Sequence, residues 1–179
     1  MKTPCLGWSL PSVLAWMLLI SLLFLHHDGL LPSPKITMPA IYQHRLTVVP
    51  ENIDVQQHVN NLVYLRWMQD AAVAHSREQG WGREEYEKLG CGWVVRSHQI
   101  DYALPAFEGD KILVLTWLCE FRKATCVRRY RILREEDSVL LAHAETSWAF
   151  INMQKRLPSR IPAEVLDSFQ LVTGDQQPS

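Results

Sequence analysis

The segment from Val59 to Glu78, VNNLVYLRWMQDAAVAHSRE, constrains the fold more than any other part of the chain. It contains neither proline nor glycine, and its apolar residues recur at helical spacing. Two rows result: Leu62, Leu65, Met68, Ala72 and His75, and Val63, Trp67, Ala71 and Ala74. A helix that is apolar on so much of its circumference is buried. We therefore predict a long internal helix with Asn60 or Asn61 as its N-cap and Gly80 as its end.

Five segments around this helix have the composition of β-strands. They are residues 41–49 before the helix and 93–102, 111–121, 125–134 and 139–151 after it, with a polar linker over 81–92. The short connections between the last four predict an antiparallel meander. An antiparallel sheet of about five strands wrapped around one long central helix buries all of these apolar faces, so we predict an α+β domain. A short helix within 162–169 and a disordered tail over 171–179 follow.

Residues 1–37 form an apolar leader that is separate from this domain. Within it, residues 13–25 read VLAWMLLISLLFL and contain one polar side chain. This run is shorter than the roughly 20 residues that span a bilayer. Three interpretations stay open: an uncleaved membrane anchor over residues 10–25, a secretory signal, or a true start at Met38. We predict a cytoplasmic protein, which is membrane-anchored only if the leader is retained.

Charge and motif content exclude several classes of protein. Eighteen Lys and Arg against nineteen Asp and Glu give a net charge of −1, which argues against nucleic-acid binding. We find no P-loop, no G-x-G-x-x-G, no G-x-S-x-G and no metal-ligand spacing among the histidines. The sequence therefore predicts neither a metal nor a cofactor. Four scattered cysteines do not make a disulfide scaffold, and Cys119 and Cys126 are predicted to be packed thiols facing each other across a hairpin.

Basic residues cluster on two neighbouring strand segments and the turn between them. They are Arg122, Lys123, Arg128, Arg129, Arg131 and Arg134. A solvated strand face is the simpler interpretation. The alternative is a binding site for the phosphate groups of a coenzyme that carries the substrate.

The segment 52–70, NIDVQQHVNNLVYLRWMQD, carries the densest chemistry. It places Asp54, His58 and several side-chain amides directly before the predicted helix. A helix N-terminus offers unpaired N–H groups and a partial positive charge, which can stabilise an oxyanion. A carboxylate beside it can attack an activated acyl carbon or activate water to do so. This combination indicates an acyl-transfer or hydrolysis site.

The string DVQQHVNNLVYLRW, residues 54–67, closely resembles the signature of the hotdog-fold acyl thioesterases. It is similar to the 4-hydroxybenzoyl-CoA thioesterase-like superfamily, and especially to bacterial acyl-CoA and plant acyl-carrier-protein thioesterases with D-x-x-x-H-V-N-N-x-x-Y. Residues 94–110 are typical of the following strand and turn. The resemblance covers about residues 41–169 and implies a single hotdog domain over 38–170.

The resemblance also implies roles for individual residues. Asp54 matches the catalytic carboxylate, acting as nucleophile or general base, and His58 the histidine that orients the acid or the thioester. Five further residues match substrate-binding positions: Gln56, Asn60, Asn61, Tyr64 and Asp70. The plant branch has Asn and Glu where this chain has Gln56 and Asp70, so each side chain differs in reach by one methylene.

The implied substrate is an acyl-CoA or acyl-carrier-protein thioester, and the implied assembly is a homodimer or homotetramer with the acyl site between protomers. Exposed sheet edges and the abundance of tryptophan favour such an assembly on physical grounds. Two alternatives to hydrolysis are kept. One is a non-catalytic acyl-binding hotdog protein, and the weaker one is a hydratase or dehydratase.

Overall fold

A computed structural model describes residues 40–178 of the chain. Six strands and three helices follow in order: β1 (Tyr42–Thr47), α1 (Asn61–Glu78), α2 (Arg83–Leu89), β2 (Cys91–Tyr102), β3 (Lys111–Phe121), β4 (Thr125–Arg134), β5 (Leu140–Asn152), β6 (Leu157–Pro158) and α3 (Ala163–Leu166). Short 3-10 turns lie at Pro50–Asn52 and Gly174–Gln176. The predicted α+β architecture is confirmed. The apolar leader over 1–37, its possible anchor and the start at Met38 lie outside the described residues.

Helix α1 is the long helix that its apolar rows predict. The Asn60 side chain accepts the Leu62 N–H at 2.9 Å and caps the first turn. At the other end Gly80 adopts a φ of 83°, a left-handed conformation that suits glycine. Only one face of the helix is buried in this chain, because Leu62 is 72% exposed and Val73 is 54% exposed. The prediction of burial on nearly all sides was therefore too broad.

All six strands belong to one antiparallel sheet with the order β1-β3-β4-β5-β2, and β6 pairs with the outer part of β5. Strands β3, β4 and β5 form the predicted meander, but β2 does not pair with β3 and that part of the prediction was wrong. The connection over 103–110 is the reason. Its Ala106 carbonyl accepts the Val59 N–H and its Asp110 carbonyl accepts the Val48 N–H. With these bonds the connection passes the start of α1. It joins β2, at one edge of the sheet, to β3, which lies near the other edge between β1 and β4.

The main core lies between the buried face of α1 and one face of the sheet. From the helix, Trp67, Met68 and Ala71 are 5% exposed or less. They share a cluster with alternate residues of the central strands, such as Ile112 and Ile132. The apolar residues that recur every second position in the strands therefore pack against those that recur about every 3.6 positions in the helix, and together they form one apolar layer.

Two segments that seemed featureless in the sequence are ordered. Within the predicted polar linker, α2 begins where the Glu85 carboxylate accepts the Gly82 N–H. It ends at Gly90, whose φ is 66°. The predicted tail begins against the sheet, because the Val172 N–H donates to the Leu118 carbonyl and Val172 is buried. Within residues 40–178, no helix has the length and apolar character that crossing a membrane requires.

Candidate active site

The loop between residues 52 and 60 is a tight structure held by its own backbone. Ile53 and Val59 form an antiparallel bridge. Inside it, the Asp54 N–H donates to the His58 carbonyl, and the Gln57 N–H donates to the Asp54 carbonyl, both at 3.0 Å. Gln57 adopts a φ of 65°, an unusual conformation for a residue with a side chain. The loop thus presents Asp54 and His58 from the two ends of one small turn.

Asp54 and His58 lie side by side. One carboxylate oxygen, Oδ1 of Asp54, is 3.9 Å from Nδ1 of His58, and the side chains are 21% and 29% exposed. The same oxygen accepts the Gln56 N–H at 2.8 Å, which fixes the carboxylate in an Asx turn. Both groups are therefore held in place yet open to solvent, as a group that meets a substrate must be.

His58 has a hydrogen-bond partner at each ring nitrogen. Its Nδ1 lies 3.2 Å from the Val59 carbonyl, and its Nε2 lies 3.0 Å from Oε1 of Gln56. These two contacts fix the orientation of the ring beside the Asp54 carboxylate.

The two asparagines of the signature have different tasks. Asn60 uses its side chain to cap α1, as described above. Asn61 is exposed, and its carbonyl accepts the Tyr102 hydroxyl at 3.2 Å. Because both residues stand at the first turn of an 18-residue helix, the positive end of the helix dipole lies beside the loop.

Tyr64 forms the floor of the region. It is 2% exposed and packs edge-on against Tyr102, with ring centroids 5.2 Å apart. Burial raises the pKa of Tyr64 above its ordinary value, while a hydrogen bond to the Ala106 backbone opposes that shift. The phenol therefore stays protonated at neutral pH and serves as a hydrogen-bond donor or a packing surface, not as a base.

Two concave surfaces meet at this loop. A shallow depression is formed by residues 53–58 with Asn60 and Asn61. A cavity of about 210 Å³ adjoins it, lined by His58, Val59, Asn61, Tyr64 and residues 102–105. His58 and Asn61 belong to both. The structure thus brings together six of the seven predicted site residues: Asp54, Gln56, His58, Asn60, Asn61 and Tyr64.

Asp70 is the predicted site residue that the structure does not bring to the loop. It is exposed on α1, nine residues beyond Asn61, which is about 14 Å along a straight helix. Conversely, sequence reasoning did not single out Tyr102 or Ala106, which contact the loop and the helix start. The only signal for them was their place within the second matching stretch, residues 94–110.

The cysteines do not supply a nucleophile in the described chain. Cys126 pairs in register with Phe121, while Cys119 sits in a bulge between Leu118 and Glu120, so the two thiols are not opposite each other. Burial raises the pKa of Cys126 to about 12, and burial raises the pKa of Cys119 as well. Both thiols are protonated at neutral pH and therefore unreactive. Within residues 40–178, no three His, Cys, Asp or Glu side chains are placed to hold a metal ion.

Three of the six residues of the basic cluster, Arg122, Arg129 and Arg134, are paired with carboxylates at the surface. Arg122 contacts Glu120 at 2.8 Å, and Arg134 contacts Asp137 at 2.7 Å. These pairs favour the solvated strand face over a phosphate site.

Comparisons with known proteins identify the superfamily and the fold of the chain. The model of the thioesterase-like superfamily matches residues 48–169, and the chain belongs to this superfamily. Its antiparallel sheet with a packed helix is the hotdog fold. The chain is 26% identical over 141 residues to the chloroplastic acyl-(acyl-carrier-protein) hydrolase FATB3 of Cuphea viscosissima, covering 75% of this chain but only 34% of that protein.

Two further similar proteins are covered over most of their own length. The acyl-CoA thioesterase YbgC of Haemophilus influenzae is 26% identical over 120 residues, which are 66% of this chain and 87% of that protein. Among solved structures, Slr0204, a 1,4-dihydroxy-2-naphthoyl-CoA thioesterase from Synechocystis, superposes with a TM-score of 0.67 at 19% identity. That match covers 72% of this chain and 94% of the other.

Proposed function

We propose that this protein hydrolyses an acyl thioester and that Asp54 is its catalytic carboxylate. One observation carries the proposal: the Asp54 carboxylate and the His58 imidazole are held 3.9 Å apart in a partly exposed loop that runs directly into the N-terminus of the long helix α1. A carboxylate, an imidazole and a helix N-terminus are the base, the orienting group and the oxyanion stabiliser that such a reaction needs.

In the proposed reaction, Asp54 takes a proton from water while the water oxygen bonds to the acyl carbon. The carbonyl oxygen becomes an oxyanion, which the positive end of the α1 dipole stabilises. The C–S bond then breaks, and the thiolate receives the proton and leaves as a thiol. His58 positions the carboxylate, and the Gln56 amide holds the far side of the imidazole ring. A direct attack by Asp54, through an anhydride that water later hydrolyses, uses the same groups.

Asn61, Tyr64 and the wall over 102–105 are the surfaces that we assign to the acyl group near the thioester. Asn60 supports them indirectly, because its side chain is committed to the helix cap. We do not assign Asp70 a role in the same site of the same chain.

A second copy of the chain is part of the proposal. Several apolar side chains around the loop are largely exposed: Val55, Leu62, Tyr102, Leu104 and Phe107. Exposed apolar side chains of this kind beside a polar site are typical of a protein interface. We propose that a second protomer covers it in a homodimer or a larger homo-oligomer, which analytical ultracentrifugation of the full chain tests directly.

Release of free thiol from short, long and aromatic acyl-CoA substrates tests the activity in the full-length protein. Asp54→Asn keeps the size and the Asx-turn acceptor but removes the base, so we expect kcat/KM to fall by a factor of about 10³ or more. Asp167→Asn, which makes the same change at an exposed position after α3, is the matched control and should retain the wild-type rate.

If no acyl-CoA is hydrolysed, acyl-carrier-protein thioesters are assayed next as substrates. A folded protein that hydrolyses neither class would contradict the proposal and leave a binding-only hotdog protein. An Asp54→Asn variant with most of the wild-type activity would refute the role of Asp54.

A further inference from the structure

Arg128 is a buried cation without a carboxylate partner in the described chain. It lies on the helix-facing side of β4 and is 5% exposed. Its Nη1 donates to Nδ1 of His75 at 2.9 Å and to Oγ1 of Thr116 at 3.2 Å. Both acceptors are neutral, because burial and the neighbouring guanidinium lower the pKa of His75 to about 3. Within residues 40–178, Arg128 forms no ion pair with Asp or Glu, although a buried charge is costly unless it is paired.

The next residue along the strand is a useful contrast. Arg129 points to the other face of the sheet, where its Nε contacts a Glu145 carboxylate oxygen at 2.9 Å. The chain therefore neutralises an arginine at the surface and leaves the inward-facing one, where neutralisation matters more, without an anion among the described residues.

The hydrogen bonds of Arg128 leave one edge of its guanidinium available. Both bonds within the described chain start from Nη1. The Nε and Nη2 N–H groups form the parallel pair that binds a carboxylate with two hydrogen bonds. Nε of Arg131 is a fully buried nitrogen that has no hydrogen-bond partner within the described chain. Nε and Nη2 of Arg128 are not in that situation.

Arg128 is one of the residues that line an aromatic cavity of about 230 Å³. The other walls come from α1, α2, the strands β2 to β5 and the segment after α3, and they include Trp81, Tyr86, Trp93, Trp148 and Phe169. On α1 the lining residues are Ala72, Val73 and Ser76. They lie 12 to 16 residues beyond Asn60, about 18–24 Å along the helix axis. The cavity is therefore separate from the Asp54 loop.

We propose that this cavity is a second binding site, which takes the carboxylate group of a small amphipathic acid on Arg128 and its apolar body against the aromatic walls. A cavity of about 150 Å³ holds benzene, so one of about 230 Å³ accommodates roughly nine non-hydrogen atoms. Acids of seven or eight carbons, which have about nine or ten non-hydrogen atoms, match this size. The proposal does not depend on the thioesterase proposal, because it uses none of the same residues.

Isothermal titration of the full-length protein at neutral pH with octanoate, 1-octanol and octylammonium tests this site without any mutation. The three probes share the apolar chain and differ in charge. Octanoate should bind once per chain and at least tenfold more tightly than 1-octanol, and octylammonium should bind most weakly. The fluorescence of the tryptophans in the wall should change on addition of octanoate. Equal affinities for octanoate and 1-octanol would overturn the proposal.

Variants then locate the site. Arg128→Met should weaken octanoate binding at least tenfold and leave 1-octanol binding within a factor of about three. If this variant does not fold, Val73→Trp replaces it, because Val73 stands at the exposed rim of the cavity. Val73→Trp should block octanoate, while Gln69→Trp on the exposed face of the same helix should not.

Asp54→Ala separates the two proposals. It should bind octanoate with wild-type affinity, whether or not Asp54 is the catalytic carboxylate. Undiminished octanoate binding by Arg128→Met, or loss of octanoate binding by Asp54→Ala, would place the acid elsewhere and refute the site.

Discussion

His75 should make the fold sensitive to mild acid. It is 2% exposed, stacks on Tyr42 with ring centroids 5.5 Å apart, and accepts a hydrogen bond from Arg128. Burial, and next the neighbouring guanidinium, lower its pKa from 6.5 to about 3. In the unfolded chain the imidazole regains its ordinary pKa. Between these two values the unfolded state binds a proton that the folded state excludes, so the free energy of unfolding falls as the pH falls.

The size of the effect follows from the two pKa values. Each pH unit inside the window changes the free energy of unfolding by about 1.4 kcal/mol for one proton. Lowering the pH from 6.5 to 4.5 should therefore remove about 2–3 kcal/mol through His75 alone. Above pH 6.5 His75 is neutral in both the folded and the unfolded state, so it causes no loss of stability. The free energy of unfolding then decreases as the pH falls, down to about pH 3.

Urea denaturation of the wild type and of His75→Gln, measured at several pH values between 7 and 4, isolates this term. Glutamine keeps an acceptor for Arg128 but does not titrate, and all other titrating groups are shared by both proteins. The wild type should lose about 2–3 kcal/mol more than the variant between pH 6.5 and 4.5. Parallel stability profiles for the two proteins would refute a buried neutral imidazole at this position.

Two further predictions concern helix α1. Asn60→Ala removes the cap on the Leu62 N–H and should cost about 1 kcal/mol of unfolding free energy, whereas Asn61→Ala at the exposed neighbouring position should change it by less than about 0.5 kcal/mol. Met68→Ala empties a fully buried position and should cost about 2–5 kcal/mol in chemical denaturation, whereas Leu62→Ala should cost much less in the isolated chain, because Leu62 is 72% exposed. Equal losses at the paired positions would contradict the assignment of the cap and of the buried face.

Local features of the sequence determined the elements and most of the candidate site. The strands over 111–121 and 125–134 have the bounds that their alternation predicts, and α1 ends at Glu78, two residues before the predicted stop at Gly80. Asp54, Gln56 and His58 lie together because they occupy one tight loop, so their proximity is a property of adjacent residues. The helix start that follows them is likewise encoded locally by the Asn60 cap.

Only the tertiary structure decided which distant segments meet. The pairing of β2 with β5 depends on how the connection over 103–110 crosses the start of α1, and that path also brings Tyr102 to the loop. The packing of α1 on β3 and β4 likewise places His75 against Arg128. Alternation along β4 places Arg128 on the same face as Cys126, Tyr130 and Ile132, but it does not reveal that Arg128 has no anion there among the described residues. Side-chain periodicity reports which residues share a face of one element, whereas burial and partnership depend on the element that packs against that face.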